Sequence, residues 1–240
     1  MTADSKIYSA EGYCPICEQK AVFTANLDWY RDHLFCLKCD SIPRERAIAK
    51  AIDCYCPNWR ELSIHESSPT ERGMTTKLRQ QCQQFMTTQF HPNEPLGEVI
   101  SSYRNENLES QTFESGVFDI VLSQDVMEHV NRPDLSFKEI ARTLKSGGLY
   151  IFTVPTYKGQ IESVRRAYIL EDGSEQHLAE PEYHGNPVSD KGALVTFHYG
   201  YDLPEKIFEW SGMDTEVIRH HSPQMGIIGE FTEVYVSRVP

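Results

Sequence analysis

The chain has 240 residues, 23 Lys+Arg against 35 Asp+Glu for a formal net charge of −12, 40% hydrophobic and 24% charged residues, and seven cysteines. This composition belongs to a globular protein of one large domain with a small appendage and excludes disordered and collagen-like chains. No apolar run approaches the roughly 18 residues of a membrane-spanning helix, and the acidic balance argues against a broad phosphate-binding surface.

The opening MTADSKIYSAEGY has neither a cationic n-region nor an apolar h-region, so no secretory signal is expected and a cytoplasmic location is. There, clustered cysteines more often hold metal than form disulfides. Cys14-Pro-Ile-Cys17 and Cys36-Leu-Lys-Cys39 are two C-x2-C pairs with 18 residues between Cys17 and Cys36. Two such knuckles complete a tetrahedral S4 shell suited to structural Zn2+, with no open position for catalysis. A redox dithiol would account for one pair and not for both. His33 lies outside the knuckles, and Cys54, Cys56 and Cys82 are expected to be buried apolar thiols. Residues 1–42 thus read as a zinc ribbon and 43–60 as a linker helix through AIAKAI, with Pro43 in its first turn, where a missing N–H costs nothing. Residues 1–60 hold eight basic and eight acidic side chains, so the whole negative charge belongs to residues 61–240. A ribbon that gripped nucleic acid would show a basic face.

From residue 61 the pattern alternates. ELSIH is a strand, TTKLRQQCQQF a helix, and FMTTQF and GEVIS are weaker strands. FDIVLSQ is nearly continuously apolar, as parallel strands covered on both faces are. Asn131-Arg-Pro133 opens a helix with Phe137, Ile140, Ala141 and Leu144 on one face, and Gly147-Gly148 is expected to stop it before the strand LYIFTVP. LPEKIFEWSG is a helix, and DTEVIRHHS and EFTEVYVSRV are two closing strands. The fold class is α/β: a Rossmann-like doubly wound sheet with an antiparallel C-terminal edge hairpin and a small four-cysteine ribbon before it.

FDIVLSQDVMEHV followed by RPDLSFKEIARTLKSGGLYIFTVP resembles the class I S-adenosylmethionine-dependent methyltransferases of the type 11 and 12 kind, strongly over residues 60–155. The resemblance implies S-adenosyl-L-methionine as cofactor. In that family the first strand enters a loop of the form acidic–x–G–x–G–x–G. Here Ser63 occupies the acidic position and His65, Ser67 and Pro69 replace the glycines, so an ordinary strand-to-helix turn with a serine cap is the competing reading. Compensation for the missing glycines is expected from the residues present: His65, Ser67 and Ser68 would border the cofactor, Glu66 pair with its ammonium and Arg72, beside Gly73, with its carboxylate. Gln89 falls where an acid meets the ribose, and Asn105, Glu106 or Asn107 falls on the adenine side. Ser123 and Gln124 line the methionyl side, and Asp125 and Glu128 charge the start of the next helix, with His129 packed within it.

Residues from about 156 to 202 are too long for a tight crossover and too aromatic for a solvated tail, with Tyr168, Tyr183, Phe197, Tyr199 and Tyr201. They also carry His177, His184, Asn186, Asp190, His198 and Asp202. This insertion reads as a lid that supplies the acceptor pocket, with His184, His198 and Tyr199 as candidate bases. The resulting reading is a cytoplasmic methyltransferase of a small-molecule or glycan acceptor. Its competitors are an RNA methyltransferase docking through the ribbon and a non-catalytic scaffold.

Overall fold

The computed structural model describes residues 7–186 and 191–240; the first six residues of the expected leaderless start and Asp190 lie outside them. The ribbon consists of β1 (Tyr8–Cys14), β2 (Gln19–Ala25), the short helix α1 (Tyr30–His33) and β3 (Phe35–Cys36), in an antiparallel sheet of order β1-β2-β3. Helix α2 (Pro43–Tyr55) follows. The main domain then runs β4 (Ser63–Ser67), α3 (Gly73–Gln81), β5 (Gln84–Gln89), β6 (Val99–Ile100), β7 (Tyr103–Asn105), β8 (Phe118–Gln124), α4 (Pro133–Thr143) and β9 (Leu144–Thr153). Six short strands, β10 (Val164–Arg165), β11 (Ala167–Ile169), β12 (Glu175–His177), β13 (Tyr183–His184), β14 (Ala193–Leu194) and β15 (Phe197–His198), form three two-stranded ribbons. Helix α5 (Leu203–Ser211) and the strands β16 (Asp214–Ile218) and β17 (Val234–Arg238) close the chain.

The central sheet has the order β16-β17-β9-β8-β4-β5-β7-β6. Strands β9, β8, β4, β5 and β7 are parallel, while β17 is antiparallel to both β9 and β16. The chain winds outward in one direction from β4 and in the other from β8, so the topological switch point lies between these two strands. Val121, Tyr150, Phe152 and Tyr235 pack under Phe137 and Ile140 of α4 and Ile207 of α5. On the opposite face Ile64, Ile120, Leu122, Ile151 and Val236 share one core with Ala47, Ile48, Ala51 and Ile52 of α2 and with Phe23 and Leu34 of the ribbon. Each buried Val, Leu, Ile or Phe side chain among these contributes on the order of 1.5–3 kcal/mol.

Two local expectations fail. Gly147 and Gly148 do not stop α4. The helix ends at Thr143 and the glycines lie inside β9, where a Cβ on Gly148 would come within 2.8 Å of the Lys145 carbonyl oxygen. Nor do all three spare cysteines pack as apolar thiols: Cys82 is buried and Cys56 partly so, but Cys54 is exposed.

Candidate functional site

Parallel winding brings the carboxyl ends of β4, β5, β7 and β8 to one edge, and with them Ser67, Gln89, Asn105, Ser123 and Gln124. Ser67 pairs in register with Ser123 across the switch point, and Gln89 with Asn105. Glu66, one residue earlier, is 1% exposed, and its Oε1 accepts hydrogen bonds from the Thr75 hydroxyl at 3.0 Å and the Gln124 amide at 3.1 Å. Burial pushes the Glu66 carboxyl up to about 7 against the lowering effect of these two donors. Glu66 Oε2 and Gln124 Oε1 are buried and have no hydrogen-bond partner. Two orphaned acceptors at a switch point call for a multivalent donor, and an ammonium is the simplest group that supplies one.

The glycine-poor loop takes its own path. Neither His65, Ser67 nor Pro69 adopts a positive φ; the left-handed residue is Ser68, at φ 54°, whose N–H bonds the Thr88 carbonyl at 2.8 Å. The left-handed turn therefore falls at Ser68, two residues after Glu66. Gly73 keeps its own reason to be glycine: at φ 50°, a Cβ there would meet Glu45 Oε2 at 2.3 Å. Glu45, from α2, accepts from the Ile42 N–H at 2.9 Å, the Thr70 hydroxyl at 3.2 Å and Arg72 Nε at 3.3 Å. The N-terminus of α2 thus closes over this loop and engages Arg72.

The other candidates divide between the cleft and the framework. His65 is wholly buried between Phe113 and Phe118, with ring centroids 5.2 and 5.1 Å away, and burial lowers it to about 3, so it is neutral. The Ser123 hydroxyl shares a 2.6 Å bond with Tyr150. Asn105 clamps the preceding loop, its amide nitrogen donating to the carbonyls of His91, Glu94 and Pro95. Glu106 accepts from Arg104 and from the Thr112 N–H at 2.8 Å, and Asn107 accepts from the Glu109 N–H at 2.9 Å. Gln89, 8% exposed at the end of β5, stays beside the cleft.

In the 156–202 insertion, His198 Nε2 lies 2.7 Å from Glu182 Oε2 and its ring stacks on Tyr157 at 4.3 Å. His184 Nε2 lies 3.3 Å from Glu182 Oε1. Tyr199 is fully buried, its hydroxyl donates to the Met127 carbonyl at 3.0 Å, and burial holds its phenol well above the usual range. His184 and His198 are thus gathered around Glu182, while Tyr199 sits beneath them as an anchor. Asp125 and Glu128 do not charge the start of α4, which begins at Pro133 after a separate 3-10 turn, Met127–His129, that holds His129.

The four ribbon thiols converge. Cys14 and Cys39 Sγ are 3.8 Å apart and Cys17 and Cys36 Sγ 3.7 Å apart, against about 3.8 Å between sulfurs on a tetrahedral ion with 2.3 Å bonds. The Cys17 N–H points at Cys14 Sγ at 3.4 Å. Beneath them Arg46, fully buried, donates to Ser41 Oγ at 3.1 Å and to the carbonyls of Leu34 and Gly226 at 2.9 and 2.7 Å. The donor set and its buried countercharge fit zinc.

Residues 74–152 match the family model described as a methyltransferase domain. Over those residues, about a third of the chain, the protein is similar to that domain. No curated protein is a significant match. Among solved structures, 1,6-didemethyltoxoflavin-N1-methyltransferase of Burkholderia thailandensis is 13% identical, with a TM-score of 0.51 over 82% of this chain and 78% of that one. A Mesorhizobium loti S-adenosylmethionine-dependent methyltransferase is 13% identical at a TM-score of 0.49, covering 80% and 97% respectively. The first of these shares the fold of this chain, and the domain match supports an enzyme of the methyltransferase kind.

One cluster beside the methyltransferase cleft escaped the sequence. Asp125, at φ 52° just after β8, accepts from Arg31 at 2.5 Å and the Thr153 hydroxyl at 2.9 Å, and Arg44 Nε lies 3.1 Å from it as an ion pair. Burial would raise its carboxyl, but Arg44 and Arg31 outweigh that and hold it at about 2. Both arginines come from the ribbon side, more than 80 residues away in sequence. A surface hollow lined by Tyr55, Asp119, Lys145 and Arg238 lies at the opposite, amino-terminal ends of the strands and takes no part in this site.

Proposed function

We propose that the chain transfers a methyl group from S-adenosyl-L-methionine to a small-molecule acceptor held under residues 156–202, and that a structural Zn2+ on Cys14, Cys17, Cys36 and Cys39 rigidifies the ribbon. When bound, S-adenosylmethionine supplies a methyl group on a positively charged sulfur. The observation that carries the reading is the pair of orphaned acceptors, Glu66 Oε2 and Gln124 Oε1, at the switch point. Together they suit the cofactor's ammonium. Ser67, Ser68 and Gln89 border the same edge, and Gly73 lets α3 begin against Glu45. Near-attack positioning of the acceptor falls to the insertion, whose His184 and His198 flank Glu182, with Tyr157 against His198. Proton removal from a hydroxyl or amine acceptor falls to the Glu182–His198 pair.

A small acceptor is favoured over RNA because the four arginines of residues 1–60 are engaged by partners within the fold. Arg31 and Arg44 are spent on Asp125, Arg46 on backbone carbonyls, and Arg60 joins Lys77 on Glu18. Few remain to neutralise phosphates. Titration calorimetry with S-adenosylmethionine and its demethylated product tests the donor assignment. We expect saturable heat in the micromolar range; no heat at roughly millimolar ligand sinks it and leaves a scaffold.

A further inference from the structure

We propose that Glu128, His129 and His184 form a second metal site, a two-histidine, one-carboxylate centre for a divalent transition-metal ion, with open positions for an acceptor oxygen. Their ligand atoms all lie within 4.8 Å of one another. His129 Nε2 and His184 Nδ1 are each 3.8 Å from Glu128 Oε1. Donors on one ion with bonds of roughly 2.1 Å sit about 3.4 Å apart in a tetrahedron, so the two histidine–carboxylate contacts need an inward shift of only a few tenths of an ångström.

Two further observations point to an ion. Glu128 is 2% exposed, yet neither carboxylate oxygen has a hydrogen-bond partner. A buried carboxylate left bare is costly unless it is paired or coordinates a metal. Each imidazole also has its far nitrogen engaged by an acceptor: His129 Nδ1 bonds the Leu194 carbonyl at 2.9 Å, and His184 Nε2 faces Glu182 Oε1 at 3.3 Å. Those acceptors place the protons on the far nitrogens and turn both near lone pairs toward Glu128. This is the arrangement by which outer groups orient metal-bound histidines. The imidazole-rich donor set suits zinc-class ions rather than magnesium or calcium. The fold brings the ligands together because the insertion straddles the turn at 127–129: β13 supplies His184, the Leu194 carbonyl holds the His129 ring, and Thr196 grips the Glu128 backbone carbonyl. The His184 side chain is 36% exposed, which leaves that side of the centre open to a ligand.

The identity of the open ligand as an acceptor hydroxyl or carboxylate rests on the methyltransferase reading; metal uptake does not, and the two are tested separately. The full chain, exposed to a mild chelator that spares the thiolate site, would be titrated with Co2+ and followed by visible absorption. We expect one added cobalt per chain with weak bands lacking thiolate charge transfer. His184→Ala and Glu128→Gln, with melting curves confirming a folded chain, should abolish this uptake, and Glu182→Gln should weaken it about 10- to 100-fold. No uptake by the wild type, or uptake unchanged in both ligand variants, overturns the site and leaves a plain His184–Glu128 contact. Acetohydroxamate, a bidentate oxygen ligand, should then shift the cobalt bands. An unmoved spectrum overturns the acceptor-oxygen role while the metal stands. Failure of S-adenosylmethionine to bind would remove the donor reading without changing the cobalt result.

Discussion

Burial pushes the Glu66 carboxyl up to about 7, so it is neutral below that pH although its place in the site calls for a charge. Between its unfolded pKa, about 4.3, and its folded value the unfolded chain releases a proton that the folded chain keeps. Stability therefore falls as pH rises across that window and levels off above 7. Glu66→Gln should flatten this slope in thermal melts recorded from pH 5 to 8. The same variant should weaken S-adenosylmethionine binding about 10- to 100-fold at pH 8, the worth of one charge-assisted hydrogen bond, as read by calorimetry. A variant that gains stability and keeps full affinity would separate Glu66 from the cofactor. Glu66 was legible in the sequence because it borders a recognisable loop. Its partner Thr75 was not, since a threonine inside a helix carries no signal of what it faces. Nor was Ser68: a serine in the left-handed region looks like any loop serine until its backbone is seen.

Helix α2 joins the ribbon to the cleft through consecutive side chains. Arg44 reaches Asp125, Glu45 reaches the loop before α3, and Arg46 lies under the cysteines. The Arg44–Asp125 pair is largely shielded from solvent, so removing one partner leaves a poorly compensated ion. Asp125→Asn should cost about 3–5 kcal/mol and lower the melting temperature by on the order of 10 °C, with little dependence on added salt. A loss under 1 kcal/mol in a denaturant titration would show that Arg31 and Arg44 are satisfied elsewhere. The long elements, β8, α4 and α5, were legible because each sustains a period of burial. Strands β10 to β15 were not, because two or three residues carry no period, and β9 hid its start behind a glycine pair that reads as a helix stop. The Glu128, His129 and His184 cluster depends on a contact across more than 50 residues, which no local pattern encodes.

At the scale of the molecule, the ribbon and the sheet share one core, so the cysteines support more than the first 42 residues. Cys39→Ser, or a strong chelator, should lower the melting temperature in a single transition and weaken cofactor binding together. Two separate transitions, or unchanged cofactor affinity in the zinc-free chain, would show that the ribbon folds and acts alone. The insertion is fastened differently. Thr196 and Tyr199 hold it to the carbonyls of Met127, Glu128 and Val130, and Arg165 to that of Asn131, so these anchors read main chain rather than side chains. A cover attached in this way is tolerant of change on its free surface: its exposed residues can be exchanged without loosening the attachment. Acceptor preference is then a trait that selection or a mutant library can retune on residues 156–202 alone, leaving the donor cleft and the ribbon as they are.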